Sequence, residues 1–205
     1  MEFHTYIKNL KVLIYLEAFK TPIDGLVVFK LDVHEDERGF FKENFNQRDA
    51  HRAVEKILQY PDDERYLNII ANFNPVQNNV SYNHAGVVRG LHAEPWNKYI
   101  SVASGSVHGA WIDLRPEGFA KVYEIDITPD IAVFVPKGVA NGFQAYEDTT
   151  YTYLVDDYWS IENKKLYKFL NLTEIDWPRV IDWSLVSDDD KHHPTLLEKG
   201  VKKKW

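Results

Sequence analysis

The chain has 205 residues and no cysteine, with 27% charged residues and a formal net charge of −7. Those values exclude a disulfide scaffold, cysteine metal ligands and a thiol nucleophile, and they argue against general nucleic-acid binding while leaving room for a local Arg/Lys pocket. Six Trp, twelve Tyr and eleven Phe supply one substantial core, so the length suits a single protein unit.

Residues 1–22 carry short apolar segments interrupted by Lys and Glu, without a clean apolar core and small-residue cleavage site, and read as an added strand or helix ahead of the main domain. No run reaches the roughly 18 apolar residues of a membrane-spanning helix, and a cytoplasmic enzyme is the default. Next, GLVVFKLDVHEDERGFFKENF falls into two alternating blocks around the polar HEDERG, which predicts a hairpin. Asp49 to Leu58 places Ala50, Ala53, Val54 and Ile57 at helical spacing, and Pro61 follows.

From Tyr66 to about Tyr158 the pattern is a series of short β runs: LNIIANF, GVVRGLH, KYISVAS, SVHGAWIDL, KVYEIDI, IAVFVP and TYTYLV. Their separators are rich in Gly, Pro, Asn and Asp with no long amphipathic helix between them, so an antiparallel barrel or sandwich fits better than repeated βαβ units. Gln77, Asn79 and Ser81 alternate along one strand and share a polar face. No glycine belongs to a GxGxxG or P-loop pattern. After Trp159 a polar tail, residues 160–205, is expected to pack on the β core through Trp177, Trp183 and Leu185.

Residues 86–115, GVVRGLHAEPWNKYISVASGSVHGAWIDLR, set Arg89, His92 and Lys98 around two neighbouring strands. A potential base, a cation and an anion anchor on rigid elements make a reaction centre.

In DERGFFKENF, QNNVSYNHAGVVRGLH, KYISVASGSVHGAWIDLR, VPKGVANGF, TYLVDDYW and SDDD, over about residues 22–195, the chain resembles the dTDP-4-dehydrorhamnose 3,5-epimerases. The resemblance implies an all-β fold, a cupin-like antiparallel β barrel (jelly roll) with short peripheral helices, as one domain over 1–205. It further implies a homodimer that exchanges N-terminal strands and acts on a nucleotide-diphosphate sugar without metal or organic cofactor. The chemistry implied is removal of a proton from carbon beside a C4 ketone and its return on the opposite face. His92 matches the base and Asp190, ending SDDD, the carboxylate that orients it; imidazole suits proton transfer near neutral pH and a carboxylate fixes its tautomer. Lys98 matches the lysine that stabilises the enolate, and Arg89 the arginine that grips diphosphate. Arg38 is a second phosphate or inter-subunit contact, with Phe40 and Glu43 near the nucleoside. Gln77, Asn79 and Ser81 face sugar or nucleotide, and Tyr153 shapes the sugar pocket.

Three departures matter. Trp159 falls where a tyrosine acid is expected, with Tyr158 one residue earlier as the candidate to return the proton, so epimerisation at one carbon only is an open reading. Asn141 occupies the usual histidine position of the HGF segment, and the loop between His92 and Lys98, lined by Glu94 and Trp96, is short. A non-catalytic nucleotide-sugar-binding cupin and a related keto-sugar isomerase are the alternatives. A metal cupin is disfavoured because His92, Ala93, Glu94 and Asn141 lack the clustered histidines of such sites, and adjacency of His192 and His193 supplies no chelating geometry.

Overall fold

Thirteen strands and three helices order the described part of the chain: β1 (Glu17–Lys20), β2 (Val27–Lys30), β3 (Val33–Asp36), β4 (Gly39–Lys42), α1 (Gln47–Ile57), β5 (Gln77–Asn83), β6 (Val88–Ala93), β7 (Lys98–Ser104), β8 (Val107–Asp113), β9 (Val122–Ile127), β10 (Ile131–Val135), β11 (Val139–Ala145), β12 (Thr149–Val155), α2 (Ile161–Lys164), β13 (Lys168–Phe169) and α3 (Asp188–Lys191). The structure, a computed structural model, describes residues 16–57, 68 and 70–198. Most of the N-terminal extension and the terminal KKKW lie outside the described residues.

A six-stranded sheet runs β1-β2-β10-β7-β12-β5, a five-stranded sheet β13-β6-β11-β8-β9, and β3 with β4 makes a separate two-stranded ribbon. Every pairing is antiparallel. The two large sheets enclose one core in which Ile100 and Val102 of β7, Trp111 of β8, Val133 of β10, Phe143 of β11 and Tyr151 of β12 meet. A second core lies on the other face of the six-stranded sheet, where Ala50, Ala53 and Val54 of α1 pack with Phe29, Tyr99 and Phe134. On the outer face of the five-stranded sheet a third core forms, covered by Leu170, Leu172, Ile175, Trp177, Val186 and Leu196 of the tail. Burial on both faces explains why IAVFV is continuously apolar instead of alternating.

The all-β barrel expectation is therefore corrected. Strands and helices are mixed, three separate sheets exist and none closes on itself. Alternation reports which face of a strand is buried; it carries no information on whether the first and last strands of a sheet meet. Nor is α1 peripheral, since its small residues complete the second core.

Other elements also moved. LNIIANF is helical where described, with Asn72 N–H donating to the Asn68 carbonyl at 3.0 Å. The hairpin turn sits inside HEDERG, pairing β3 with β4, while VVFK pairs instead with β1 and β10. VANGF proves to be β11, inserted between β6 and β8. In the tail Trp177 is buried as expected, but Trp183 and Leu185 are exposed. Among the described residues no helix is long and apolar enough to cross a membrane.

Candidate active site

Between the two large sheets lies a cleft of about 210 Å³. Asn79 and Ser81 of β5, Lys98 of β7 and Tyr151 and Tyr153 of β12 line it from the six-stranded sheet; Arg89 and His92 of β6 and Asn141 and Phe143 of β11 line it from the five-stranded sheet, with Glu94 in the following loop. These side chains share the interior face with core residues of the same strands. Lys98 precedes Ile100 and Val102 at a period of two, and Asn141 sits between Val139 and Phe143.

Arg89 and His92 are three residues apart, so in a regular strand they would face opposite ways. A bulge puts them together: His92 pairs with Asn141 but Arg89 with Phe143, three steps on β6 against two on β11. Gly90 has φ +129°, and a Cβ there would stand 2.7 Å from Gly142 Cα. Only glycine fits where the bulge presses on β11.

His92 Nε2 lies 2.7 Å from Asp190 Oδ1. The imidazole is partly exposed to the cleft while Asp190 is buried. Asp190 sits in α3, whose cap Ser187 accepts the Asp190 N–H at 3.1 Å, and the Gly90 N–H freed by the bulge donates to the other carboxylate oxygen at 3.5 Å. Burial acts to raise the Asp190 carboxyl, but the His92 hydrogen bond and charge, with the Gly90 N–H, outweigh it and hold it below its ordinary value.

Lys98 is buried, and its Nζ donates to Glu94 Oε1 and, at 3.4 Å, to Asn141 Oδ1. Asn141 Nδ2 in turn donates to the His92 carbonyl at 2.6 Å and to Glu94 Oε2 at 3.3 Å. Asn141 thus ties the lysine to the strand that carries the base. Lys98 Nζ also lies 5.2 Å from the centre of the Tyr153 ring. Burial first, then the Glu94 charge, raises the Tyr153 phenol, with Arg89 opposing, so the phenol stays protonated at neutral pH. Arg89 is exposed at the cleft and steadied by Nε donating to Asn83 Oδ1 at 2.7 Å.

Of the residues singled out from the sequence, His92, Asp190, Lys98, Arg89, Asn141 and Tyr153 come together, and Asn79 and Ser81 join them on the lining. Gln77 shares their strand face but spends its amide on Asn79 Oδ1 and on the Trp159 N–H. Tyr158 and Trp159 are exposed and do not line the cleft, so Tyr158 is not placed to return a proton there. Arg38 and Phe40 are exposed on the β3–β4 ribbon, with Arg38 held by Asp36, and Glu43 follows; none lines this cleft.

Sequence reasoning missed Asn83, which steadies Arg89, and His193, which lies with His92 and Asp190 in a group whose ligand-type atoms are all within 4.8 Å. The only signal for His193 was its place three residues after Asp190. That group brings two histidines together where the sequence reading expected none clustered, although His92 Nε2 and Asp190 Oδ1 are engaged with each other.

A cleft between two antiparallel sheets, with a histidine–carboxylate dyad on one and a lysine and a phenol on the other, defines an acid–base enzyme. The sequence model of dTDP-4-dehydrorhamnose 3,5-epimerase matches residues 20–198, and the chain belongs to that family. It is 45% identical over 183 residues to a protein named RmlC homolog from Streptococcus pyogenes, covering 86% of this chain and 87% of that one. It is 28% identical over 186 residues to the dTDP-4-dehydrorhamnose 3,5-epimerase of Escherichia coli, covering 86% and 92%. RmlC from Streptococcus suis, solved in complex with dTDP-D-xylose, superposes with a TM-score of 0.74 at 42% identity, covering 92% of this chain and 94% of that one.

Proposed function

We propose that the protein epimerises a dTDP-linked 4-keto-6-deoxysugar by abstracting a proton from carbon beside the ketone and returning one to the opposite face. One observation carries the reading: the His92–Asp190 dyad projects from one sheet into a cleft that Lys98 and Tyr153 enter from the facing sheet. A sugar ring seated between the sheets meets a base on one face and a proton donor on the other.

With Nε2 held by Asp190, Nδ1 is the ring nitrogen left to take the substrate proton, and the carboxylate favours the imidazolium that forms. Loss of that proton leaves negative charge on the ketone oxygen, where the Lys98 ammonium, fixed by Glu94 and Asn141, acts in a partly dehydrated site. Tyr153, whose phenol is kept protonated, returns a proton from the opposite sheet. Tyr153 in this role removes the ground for restricting the reaction to one carbon, which was the indole of Trp159 at the expected acid position. The Arg89 guanidinium binds the diphosphate, and Asn79 and Ser81 contact sugar or nucleotide.

The proposed unit is one domain with its extension and tail, in the cytoplasm, assembled as a homodimer. Two features support the dimer. Among the described residues β1 is an edge strand, which another strand can extend, and the β3–β4 ribbon exposes Phe40 and Phe41 away from its own chain's cleft. Exchange of N-terminal strands is part of this proposal; residues 1–15 lie outside the described residues.

Incubation with dTDP-4-keto-6-deoxyglucose in deuterated water, followed by NMR of the C3 and C5 protons, tests the reading. His92-dependent exchange with inversion is the expected result. Binding of the nucleotide sugar without any exchange would overturn it in favour of a non-catalytic binding protein.

A further inference from the structure

His193 is not needed by the reaction just described, yet it stands against the dyad. Its side chain is only 11% exposed, and Nδ1 is buried without a hydrogen-bond partner, 3.7 Å from the same Asp190 oxygen that His92 engages at 2.7 Å. The ring is stacked on Phe169 of β13 with centroids 4.5 Å apart and stands edge-on to His92 at 5.4 Å. Phe169 also meets the His92 ring edge-on at 5.3 Å, so one phenyl ring orients both imidazoles. The backbone is held as firmly, because Asn171 Nδ2 donates to the His193 carbonyl at 3.0 Å. A buried polar atom without a partner is costly, and this one is aimed at the carboxylate.

We propose that His193 is a positioning residue of the dyad, a second imidazole that shares the Asp190 carboxylate with His92 and so sets how firmly His92 holds a proton. The inference deepens the epimerase reading and rests on it for the identity of His92 as base. A small rotation brings an Nδ1–H within hydrogen-bonding distance of Asp190 Oδ1. A carboxylate that accepts two donors is a weaker partner for each, so His92 gives up its proton more readily to complete the catalytic cycle.

Charge dictates that His193 does this as a neutral ring. When His92 becomes an imidazolium, a second cation 5.4 Å away would oppose it. The charged groups around His193 are Asp189 and Asp190 from α3 and His92 from β6, while β13 presents the apolar ring of Phe169. Burial, followed by His92, lowers the His193 pKa and outweighs the two carboxylates and the Gly90 backbone, in agreement with a neutral state.

Imidazole NMR titration of histidine-labelled protein tests this without substrate, in wild type, H193F and H193N. Phe keeps the ring volume and the stack on Phe169 but removes the donor, and the His92 midpoint is expected to rise by about 0.5 pH unit or more. Asn restores a neutral donor and is expected to return the midpoint most of the way. If H193F does not fold, His193→Leu is read in its place. A His92 midpoint identical in wild type and the folded donor-less variant overturns the proposal, as does a shift that Asn fails to reverse. With the keto-sugar as substrate, the acid limb of kcat/KM is expected to move with the midpoint while KM stays unchanged, an effect that looser packing alone does not produce. If the midpoint shifts but wild type shows no turnover, the positioning role stands and the epimerase reading falls.

Discussion

Two histidines of the large sheets, His108 and His92, hydrogen-bond to carboxylates, and they differ in what is left over. His108 on β8 has both ring nitrogens occupied, Nδ1 by Asp126 at 2.8 Å and Nε2 by Glu124 at 2.9 Å, both from the neighbouring strand β9. Tyr146 adds its hydroxyl to Asp126 at 2.8 Å, and its phenol is pushed up to about 12, first by burial and then by that carboxylate. His92 is held through one nitrogen by a buried carboxylate and turns the rest of its ring toward a cleft. The first is a brace across two strands and the second is the proposed base, and the nitrogen left over makes the difference, since proton transfer needs a lone pair that no protein group already occupies.

The sharpest way to break this contrast is to remove each histidine in turn. His92→Ala is expected to reduce turnover by about 10²–10⁴-fold, and His108→Gln by less than about two-fold, in the deuterium-exchange assay. Comparable losses from both would show that the nitrogen left over does not distinguish them. Next in size, Tyr153→Phe is expected to cost about 10²-fold in kcat while Tyr158→Phe leaves it unchanged, because only the first phenol lines the cleft.

Lys98→Met strands the buried Glu94 carboxylate and is expected to destabilise the fold by about 3–5 kcal/mol in urea unfolding. The double variant K98M/E94L is expected to recover much of that stability without recovering activity. A smaller effect follows pH at the His92 site. The folded Asp190 carboxyl lies below its ordinary value of 3.8, so its contribution is present above that pH and is lost as the pH falls through the lower folded value. The stability gap between wild type and Asp190→Asn is accordingly expected to close as the pH falls below about 4, read by urea unfolding across acid pH. Smallest of all, His108→Gln is expected to lower stability by about 1 kcal/mol, measured by the same urea titration.

Much of the site was legible because strand periodicity and residue chemistry pointed the same way. Asn79 and Ser81 share a face through the period of two, and Arg89, His92 and Lys98 stand at polar positions within otherwise apolar strands. Tyr153 was legible as a pocket residue, whereas the family register that pointed to Tyr158 as the acid did not show which of the two phenols turns inward, and it is Tyr153 that lines the cleft. The strand misread as LNIIANF fails for another reason: Ile and Asn suit either state in so short a run, and Ile70 and Phe73 are buried in the core that α1 and Phe134 complete.

What the amino-acid sequence determined by itself was local: which residues alternate, where turns interrupt them, that no thiol chemistry is available, and which ordered motifs place the chain in its family. Tertiary structure decided everything that depends on two distant segments meeting. The approach of α3 to β6 across 98 residues of chain brings Asp190 to His92, and the same approach brings His193 beside them. Closure of the sheets was undecidable for the same reason. Side-chain period reports the environment of one strand, whereas a barrel, a bulge that turns Arg89 and His92 to one face, and a shared carboxylate are properties of pairs of elements.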